Sequence, residues 1–321
     1  MGSRIVRKGI WAVSAAVVML SSCASKGADV ATGPATPETL VERLEDARDG
    51  EVITLAPGHY GEILFPRKMR ETPITLGAAG ATFSKLKIAY AGGVVVCGGK
   101  VVGPGGRSYG IHLDHARNVT ITDMTITGAH RGVVVGDSSD VVLNRLMLTG
   151  LLSDGINVAQ SYRVAVTDNV CRDFNPAPKV FDSTGKMIRD GDHADCIQGW
   201  SRPVAPPTAD VIVRGNLAEV NGQGIFFGSK ARNGVDDGGF DRIVIEDNII
   251  RAGFPRGITL NSGRDSRVRN STVQSLPGSM NPRNGQRNRA NLCVDGTNNI
   301  ACGNTVQDFP RNPTTVPCTG E

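Results

Sequence analysis

The chain has 321 residues, of which 40 are Gly, 21% are charged and 5% are aromatic, and this composition excludes a disordered chain. Its formal net charge is +4, but three basic residues (Arg4, Arg7 and Lys8) lie in a segment that we expect to be removed. The remaining 32 basic residues balance 31 acidic ones, which disfavours a nucleic-acid-binding protein with a broad basic face.

The N-terminus is predicted to be a signal peptide over residues 1–22. An apolar run of 11 residues, from Ile10 to Leu20, follows the basic start and is shorter than the ~20 residues of a transmembrane helix. The stretch Leu20-Ser21-Ser22-Cys23 resembles the bacterial lipoprotein cleavage box. This resemblance implies lipidation of Cys23, a lipid-anchored tether over residues 23–35, and an outer-membrane lipoprotein of the cell envelope, on the periplasmic or the surface side.

An amphipathic helix is predicted over residues 36–47, ahead of the first strand. Its apolar face consists of Leu40, Val41, Leu44 and Ala47. Because a solenoid exposes its core at each end, we expect this helix to cover the first coil.

Two kinds of short, β-branched strand alternate along the rest of the chain, separated by Gly, Asn and Asp turns. The first kind begins at Asn118, Asp140, Arg163, Asp210 and Arg242. The second kind is centred on Ile111, Val133, Ile156, Ile197, Ile225 and Ile258. The step from Ile111 to Val133 is 22 residues, and such a repeat of strands without helices predicts one all-β domain, a parallel solenoid over residues 36–321.

Asparagines recur at one turn of this repeat, and we predict that they stack on successive coils. They are Asn169, Asn216 and Asn248. We expect them to adopt the left-handed conformation, which Asn tolerates, and to bond to one another.

The cap helix, the turn Leu55-Ala56-Pro57-Gly58-His59-Tyr60 and the coils that follow resemble the pectate-lyase-like, single-stranded right-handed parallel β-helix superfamily. The resemblance covers residues 37–309. It implies the fold strongly and the activity less so, because the superfamily includes lyases, hydrolases, epimerases and binding proteins.

A groove for an extended polymer is predicted on the face formed by the second kind of strand. Three lines of side chains are expected along it: a first line that points outward, a second line parallel to it, and a third that stacks at the bend before the strands. The lines are Asn157, Gln198, Phe226 and Thr259; Ala159, Trp200, Gly228 and Asn261; and, at the bend, Asp154, Asp195, Gln223 and Arg256. Coils repeat at about 4.8 Å, close to the length of one sugar unit. The predicted substrate contacts are Asn157, Gln198, Trp200, Phe226, Arg232 and Asn261.

An active site is predicted at the end of an insertion of about 18 residues that follows Cys171. The insertion returns to this face as Asp190-Gly191-Asp192-His193-Ala194-Asp195. The candidate catalytic residues are His193, Asp195, Lys230 and Arg256. Asp154 and Asp195 should stack, so that either one carboxyl has a raised pKa or a cation holds both. A Ca²⁺ ion is the one possible cofactor, with Asp154, Asp190 and Asp192 as further ligands.

The stretch from Asp192 to Gln198 is similar to a His-x-Asp-x-Ile-Gln signature of β-helix proteins associated with uronate polysaccharides. We therefore predict a monomeric polysaccharide lyase that cleaves an acidic polysaccharide by β-elimination. A uronate C5-epimerase and a non-catalytic, lipid-anchored glycan-binding protein remain alternatives. A hydrolase is disfavoured, because Asp236-Asp237 occurs without the partner motifs of β-helix polygalacturonases.

Six cysteines follow Cys23, and an even number in an oxidising compartment permits disulfides. They are Cys97, Cys171, Cys196, Cys293, Cys302 and Cys318. Their pairing is not defined by the sequence, although a bridge among the last three could fasten the C-terminal end.

Overall fold

The computed structural model describes residues 33–202, 206–228, 238–281 and 285–307. The signal peptide and the lipidated Cys23 lie outside the described residues and stay predictions. In the part of the chain that is described, no helix has both the length and the apolar character that crossing a bilayer requires.

The described chain forms one short helix, α1 (Leu40–Asp46), and 30 strands, of which 28 belong to one continuous sheet of parallel pairs. This sheet winds into coils, and each complete coil contributes strands to three faces. Face A contains β2 Gly58–Leu64, β4 Ala81–Ala89, β7 Tyr109–Asp114, β10 Arg131–Gly136, β13 Ile156–Ala159, β18 Asp195–Trp200, β21 Gln223–Phe227, β25 Arg256–Arg264 and β28 Asn291–Thr297.

Face B contains β1 Val52–Thr54, β3 Met69–Gly77, β5 Gly92–Cys97, β8 Arg117–Thr122, β11 Ser139–Asn144, β14 Tyr162–Thr167, β19 Thr208–Arg214, β22 Phe240–Asp241, β23 Val244–Glu246, β26 Arg267–Arg269 and β29 Ile300–Cys302. Face C contains β6 Lys100–Val102, β9 Thr125–Thr127, β12 Met147–Thr149, β15 Val170–Arg172, β20 Leu217–Val220, β24 Ile249–Ala252, β27 Thr272–Ser275 and β30 Thr305–Val306. The remaining strands, β16 Val180–Phe181 and β17 Met187–Arg189, form an antiparallel hairpin.

The strand register follows the predicted repeat. Val133 pairs with Ile111 on one side and with Ile156 on the other. Ile156 then pairs with Ile197, although 41 residues separate them along the chain. The extra residues leave the sheet as the β16–β17 hairpin, so the coil itself is not interrupted.

An aliphatic core fills the interior along the whole axis. The central residues of the face A strands are fully buried: Ile111, Val133, Ile156, Ile197, Ile225 and Ile258. The matching residues of face B are buried as well: Ile121, Leu143, Val166, Val213 and Ile245. Burying each such side chain stabilises the fold by about 1.5–3 kcal/mol, so the coils share one continuous hydrophobic core.

The predicted cap helix is shorter than expected. Residues 36–39 form a turn in which the N–H groups of Thr39 and Leu40 donate to the carbonyl oxygen of Thr36. Leu40 and Leu44 are buried against the first coil, as predicted, but Val41 is 53% exposed and was wrongly assigned to the apolar face. The helix has only two turns, so its buried face holds one residue from each.

The asparagine stack is confirmed in position but not in conformation. Asn169, Asn216 and Asn248 are buried, and the Nδ2 atom of each of the first two donates to the Oδ1 atom of the next, at 2.9 and 3.0 Å. The left-handed conformation belongs instead to the preceding residue of each turn, for example Asp168 and Asp247. The preceding residue makes the bend between two faces of the coil. The asparagine side chain is therefore available to form hydrogen bonds with buried backbone groups.

Replacing Asn216 by Ala is expected to lower the free energy of unfolding by about 2–3 kcal/mol, because buried partners lose their hydrogen bonds. The Asn216 side chain donates to the carbonyl oxygen of Val166 and accepts from the backbone N–H of Asn169. Urea unfolding measures the change, with the exposed Asn175→Ala variant as the control. An Asn216→Ala protein as stable as the wild type would contradict the structural role of the stack.

Candidate active site

A column of polar side chains runs along the bend before face A, and we call it the bend column. It consists of Tyr109, Arg131, Asp154, Asp195, Gln223, Arg256 and Asn291. Arg131 pairs with Tyr109, Asp195 with Gln223 and Arg256 with Asn291 in the sheet register. Side chains of successive coils therefore lie about 4.8 Å apart, as the sequence predicted for four of them.

The backbone beside the bend column is closely packed. A Cβ atom on Gly155 would lie 2.5 Å from the carbonyl oxygen of Cys196 on the next coil, so only glycine fits there. Cys196 itself forms a disulfide with Cys171, and the bridge joins the two ends of the insertion. The pairing was not predicted, and it fixes the chain directly beside Asp195.

Asp154 and Asp195 stack on adjacent coils, as predicted. The backbone N–H of Asp195 donates to Oδ1 of Asp154 at 3.1 Å, and both side chains are buried. Burial raises the pKa of Asp195 well above its usual range, and the neighbouring charge of Asp154 raises it further. Burial also raises the pKa of Asp154, although Arg131 opposes the rise. Burial and the charge of Asp154 therefore both shift Asp195 toward its neutral form.

Asp195 does not reach the surface. Its exposure is 0%, and neither carboxyl oxygen has a hydrogen-bond partner among the described residues. The charges of Arg131 and Arg256 both lower the pKa of Asp195 after burial and Asp154 have raised it. Asp195 therefore lies beneath the surface, near the two arginines but without a hydrogen bond to either.

Arg131 completes a closed network that the sequence analysis did not include in the site. Its Nε atom lies 3.1 Å from Oδ2 of Asp154, and its guanidinium lies 5.6 Å from the ring centroid of Trp200. Nδ2 of Asn157 donates to Asp154 and to Oε1 of Gln198, which also accepts from Nε1 of Trp200. The network holds the exposed ring of Trp200 and the charge of Arg131 side by side.

A second guanidinium–aromatic pair lies on the C-terminal side of the acid pair. Arg256 stands two coils beyond Asp195 in the register of the bend column, and its guanidinium is 4.9 Å from the ring centroid of Phe226. Both side chains are partly exposed. The two Arg–aromatic pairs therefore flank the buried acids along one face.

Two residues expected to point outward are buried. Asn157 is 1% exposed because Gln198, from the next coil, covers it and accepts its hydrogen bond. Thr259 is also 1% exposed, between its register partners Phe226 and Cys293. Gln198, Asn261 and Trp200 keep partly or largely exposed side chains, as expected for substrate contacts.

The charged residues of the insertion contact different partners. His193 is exposed, and its Nε2 atom lies 3.9 Å from Asp190, which also pairs with Lys179 at 3.0 Å. Asp192 contacts His130 instead, at 3.3 Å between carboxylate oxygen and Nε2. In the described chain, no hydrogen bond or ion pair joins His193 to the bend column.

The predicted calcium ligands have different neighbours. Asp154 pairs with Arg131, Asp190 with Lys179 and Asp192 with His130, so the structure does not bring the three carboxylates together. Lys230 and Arg232 lie outside the described residues, and their predicted roles stay predictions.

Arg131 and His130 are the residues that the sequence analysis missed. Arg131 stands at the same repeat position as Asp154, one coil earlier, so extending the bend column by one repeat would have found it. His130 immediately precedes it, but its contact with Asp192 follows no repeat.

Comparison with known proteins gives one family match. A protein family described as "Right handed beta helix region" matches residues 109–306. No curated protein sequence matches the chain.

Solved structures with similar coils include a tailspike protein of E. coli bacteriophage HK620, solved with a pentasaccharide, at a TM-score of 0.47, 12% identity, and coverage of 79% of this chain and 47% of that one. The Dettilon tailspike protein gives a TM-score of 0.47, 13% identity, and coverage of 87% and 59%. The catalytic domain of a GH87 α-1,3-glucanase, solved with nigerose, gives 0.42, 12%, and coverage of 86% and 65%. The chain spans about half the length of the HK620 tailspike.

Proposed function

Because this chain belongs to the right-handed β-helix family, as the sequence predicted, we propose that face A binds an extended acidic polysaccharide and cleaves it by β-elimination. The observation that carries the proposal is the pair of Arg–aromatic contacts, Arg131–Trp200 and Arg256–Phe226, on either side of the buried acids. Four coil steps separate the two arginines, or about 19 Å at about 4.8 Å per coil. A chain of about four sugars fits that length.

The proposed binding chemistry follows from these side chains. A guanidinium recognises a carboxylate through two parallel hydrogen bonds, so Arg131 and Arg256 suit the uronate groups of the polymer. The rings of Trp200 and Phe226 offer apolar surfaces for the sugar faces, and Gln198 and Asn261 offer hydrogen bonds for hydroxyl groups. An acidic polymer is favoured over a neutral one because the exposed charges beside the rings are positive.

The proposed reaction needs a cation at the uronate carboxylate, a base for the C5 proton and a proton for the leaving oxygen. Arg131 supplies the cation at the reacting sugar, with Asp154 as its positioning residue, and Arg256 binds a second uronate carboxylate further along the chain. The sequence offers His193 and Lys230 as bases, and the calcium prediction stays untested. Because Asp154 is buried, it holds Arg131 in place without exposing a carboxylate that would repel an acidic substrate.

Incubation of the mature protein with alginate, polygalacturonate and other uronate polymers tests this proposal. We expect ultraviolet absorbance from the C4=C5 double bond of the product, and no absorbance with neutral dextran as the control. Proton NMR of the same samples separates β-elimination from C5 epimerisation. Binding of uronate polymers with neither double bonds nor inverted C5 centres would leave a glycan-binding protein and contradict the lyase.

A further inference from the structure

A histidine–aspartate pair joins the insertion to the bend column. Nε2 of His130 lies 3.3 Å from a carboxylate oxygen of Asp192, and the two side chains are 17% and 33% exposed. His130 precedes Arg131 directly in the chain. The pair is thus partly shielded from water and still open to a ligand, beside one of the two arginines of the proposed groove.

The position of Asp192 is fixed by the root of the insertion. Its backbone N–H donates to the carbonyl oxygen of Ala177 at 2.9 Å. A Cβ atom on the neighbouring Gly191 would lie 2.6 Å from that same oxygen, so the two segments are in close contact. The disulfide between Cys171 and Cys196 closes the insertion below this point. Asp192 is therefore held against His130 by the backbone on both sides of the insertion.

The chemistry of a uronate requires the base and the carboxylate-binding cation to be neighbours. C5 carries both the carboxylate and the proton that is removed, so the two protein groups must approach the same end of one sugar. His130 and Arg131 are consecutive residues at the bend before face A. Arg131 and, when protonated, His130 both interact electrostatically with the carboxylate of Asp154, so the two side chains lie near one carboxyl group. His193 contacts Asp190 instead.

We propose that His130 is the catalytic base of this site and that Asp192 is its positioning residue; the proposal rests on the lyase function above. The carboxylate of Asp192, 3.3 Å from Nε2, orients the imidazole and stabilises the positive charge that forms when Nδ1 takes the C5 proton. The C5–H electron pair forms the C4=C5 double bond, and the bond between C4 and the glycosidic oxygen breaks. The leaving oxygen takes that electron pair and a proton from water, and the hydroxide that remains is neutralised by the proton that His130 took from C5.

Four variants test the proposal with the polymer on which the wild type is most active. His130→Gln is expected to lower kcat by about 10²–10⁴-fold while polymer affinity stays unchanged, since a general base contributes that much. Asp192→Asn is expected to lower kcat less, with KM unchanged. His115→Gln is the matched control, because His115 contacts Asp114 at 2.9 Å in a similar pair at another corner. His193→Gln is the competing variant. Thermal melting shows whether each variant folds.

The outcomes separate this proposal from the lyase function. A large loss of kcat in His130→Gln, with wild-type activity in His115→Gln, supports His130 as the base. An active wild type with an equally active His130→Gln, or with a larger loss in His193→Gln, overturns His130 and leaves the lyase intact. A wild type that forms no double bond with any uronate overturns the lyase itself.

Discussion

Replacing Arg131 by Ala is expected to lower kcat/KM on uronate polymers by about 10²–10³-fold, replacing Arg256 by Ala to weaken polymer binding by about 10-fold, and replacing both to abolish measurable cleavage. The guanidinium of Arg131 lies beside the proposed base, where charge builds up during C5 deprotonation, and loss of one such preorganised donor has an effect of this size. Arg256 stands about 19 Å further along the groove and binds another uronate of the same chain, so its loss removes a binding contact. Lysine is expected to rescue little, because its point charge cannot make the two parallel bonds of a guanidinium. Product absorbance measures the loss of cleavage, and polymer binding measures the loss of affinity.

The control is Arg163→Ala on face B. Arg163 also lies over an aromatic ring, 4.5 Å from the centroid of Tyr162, and pairs with Asp140 at 2.6 Å. It therefore matches Arg131 in its contacts and differs in its face. If Arg163→Ala loses as much activity as Arg131→Ala, or if the double variant keeps wild-type activity, the groove on face A is wrong. Circular dichroism checks folding, since Arg131→Ala leaves Asp154 without its cation.

The fold was predictable because each coil repeats the same pattern of residues in the sequence. Each coil repeats an inward aliphatic residue, so the alignment of Ile156 with Ile197 could be found across a 41-residue step, and the sheet confirms it. The strands of face C were not recognised. They are as short as Thr125–Thr127, and three residues are too few for an alternating pattern to stand out.

The site was predictable only where it follows the register. Asp154, Asp195 and Arg256 lie where the repeat places them, but their burial does not follow from strand alternation. Long side chains reach past the spacing of about 4.8 Å, so Gln198 covers Asn157 from the next coil. The contact between His130 and Asp192 joins the repeat to the insertion, whose path has no period, and no pattern in the sequence indicates it.

Replacing Asp195 by Asn is expected to stabilise the protein at neutral pH, because each unit by which folding raises the pKa of this carboxyl costs about 1.4 kcal/mol of stability. Burial raises the pKa of Asp195 in the folded state. Below about pH 4 the carboxyl is protonated in both states, so it contributes no difference. As the pH rises, the unfolded chain releases this proton while the folded chain retains it, and wild-type stability falls until the raised pKa is passed.

Urea unfolding of both proteins from pH 4 to pH 8 measures this effect. The difference in the free energy of unfolding between variant and wild type should be small at pH 4 and grow with pH. The variant should itself lose some stability as the pH rises, because the pKa of Asp154 is also raised. Asp140→Asn is the control of opposite sign. Hydrogen bonds from Arg163 lower the pKa of Asp140, so this partly exposed variant should lose a little stability at neutral pH and none at low pH. A difference between Asp195→Asn and wild type that does not change with pH would mean that the folded protein holds Asp195 ionised, with its charge compensated by the two arginines.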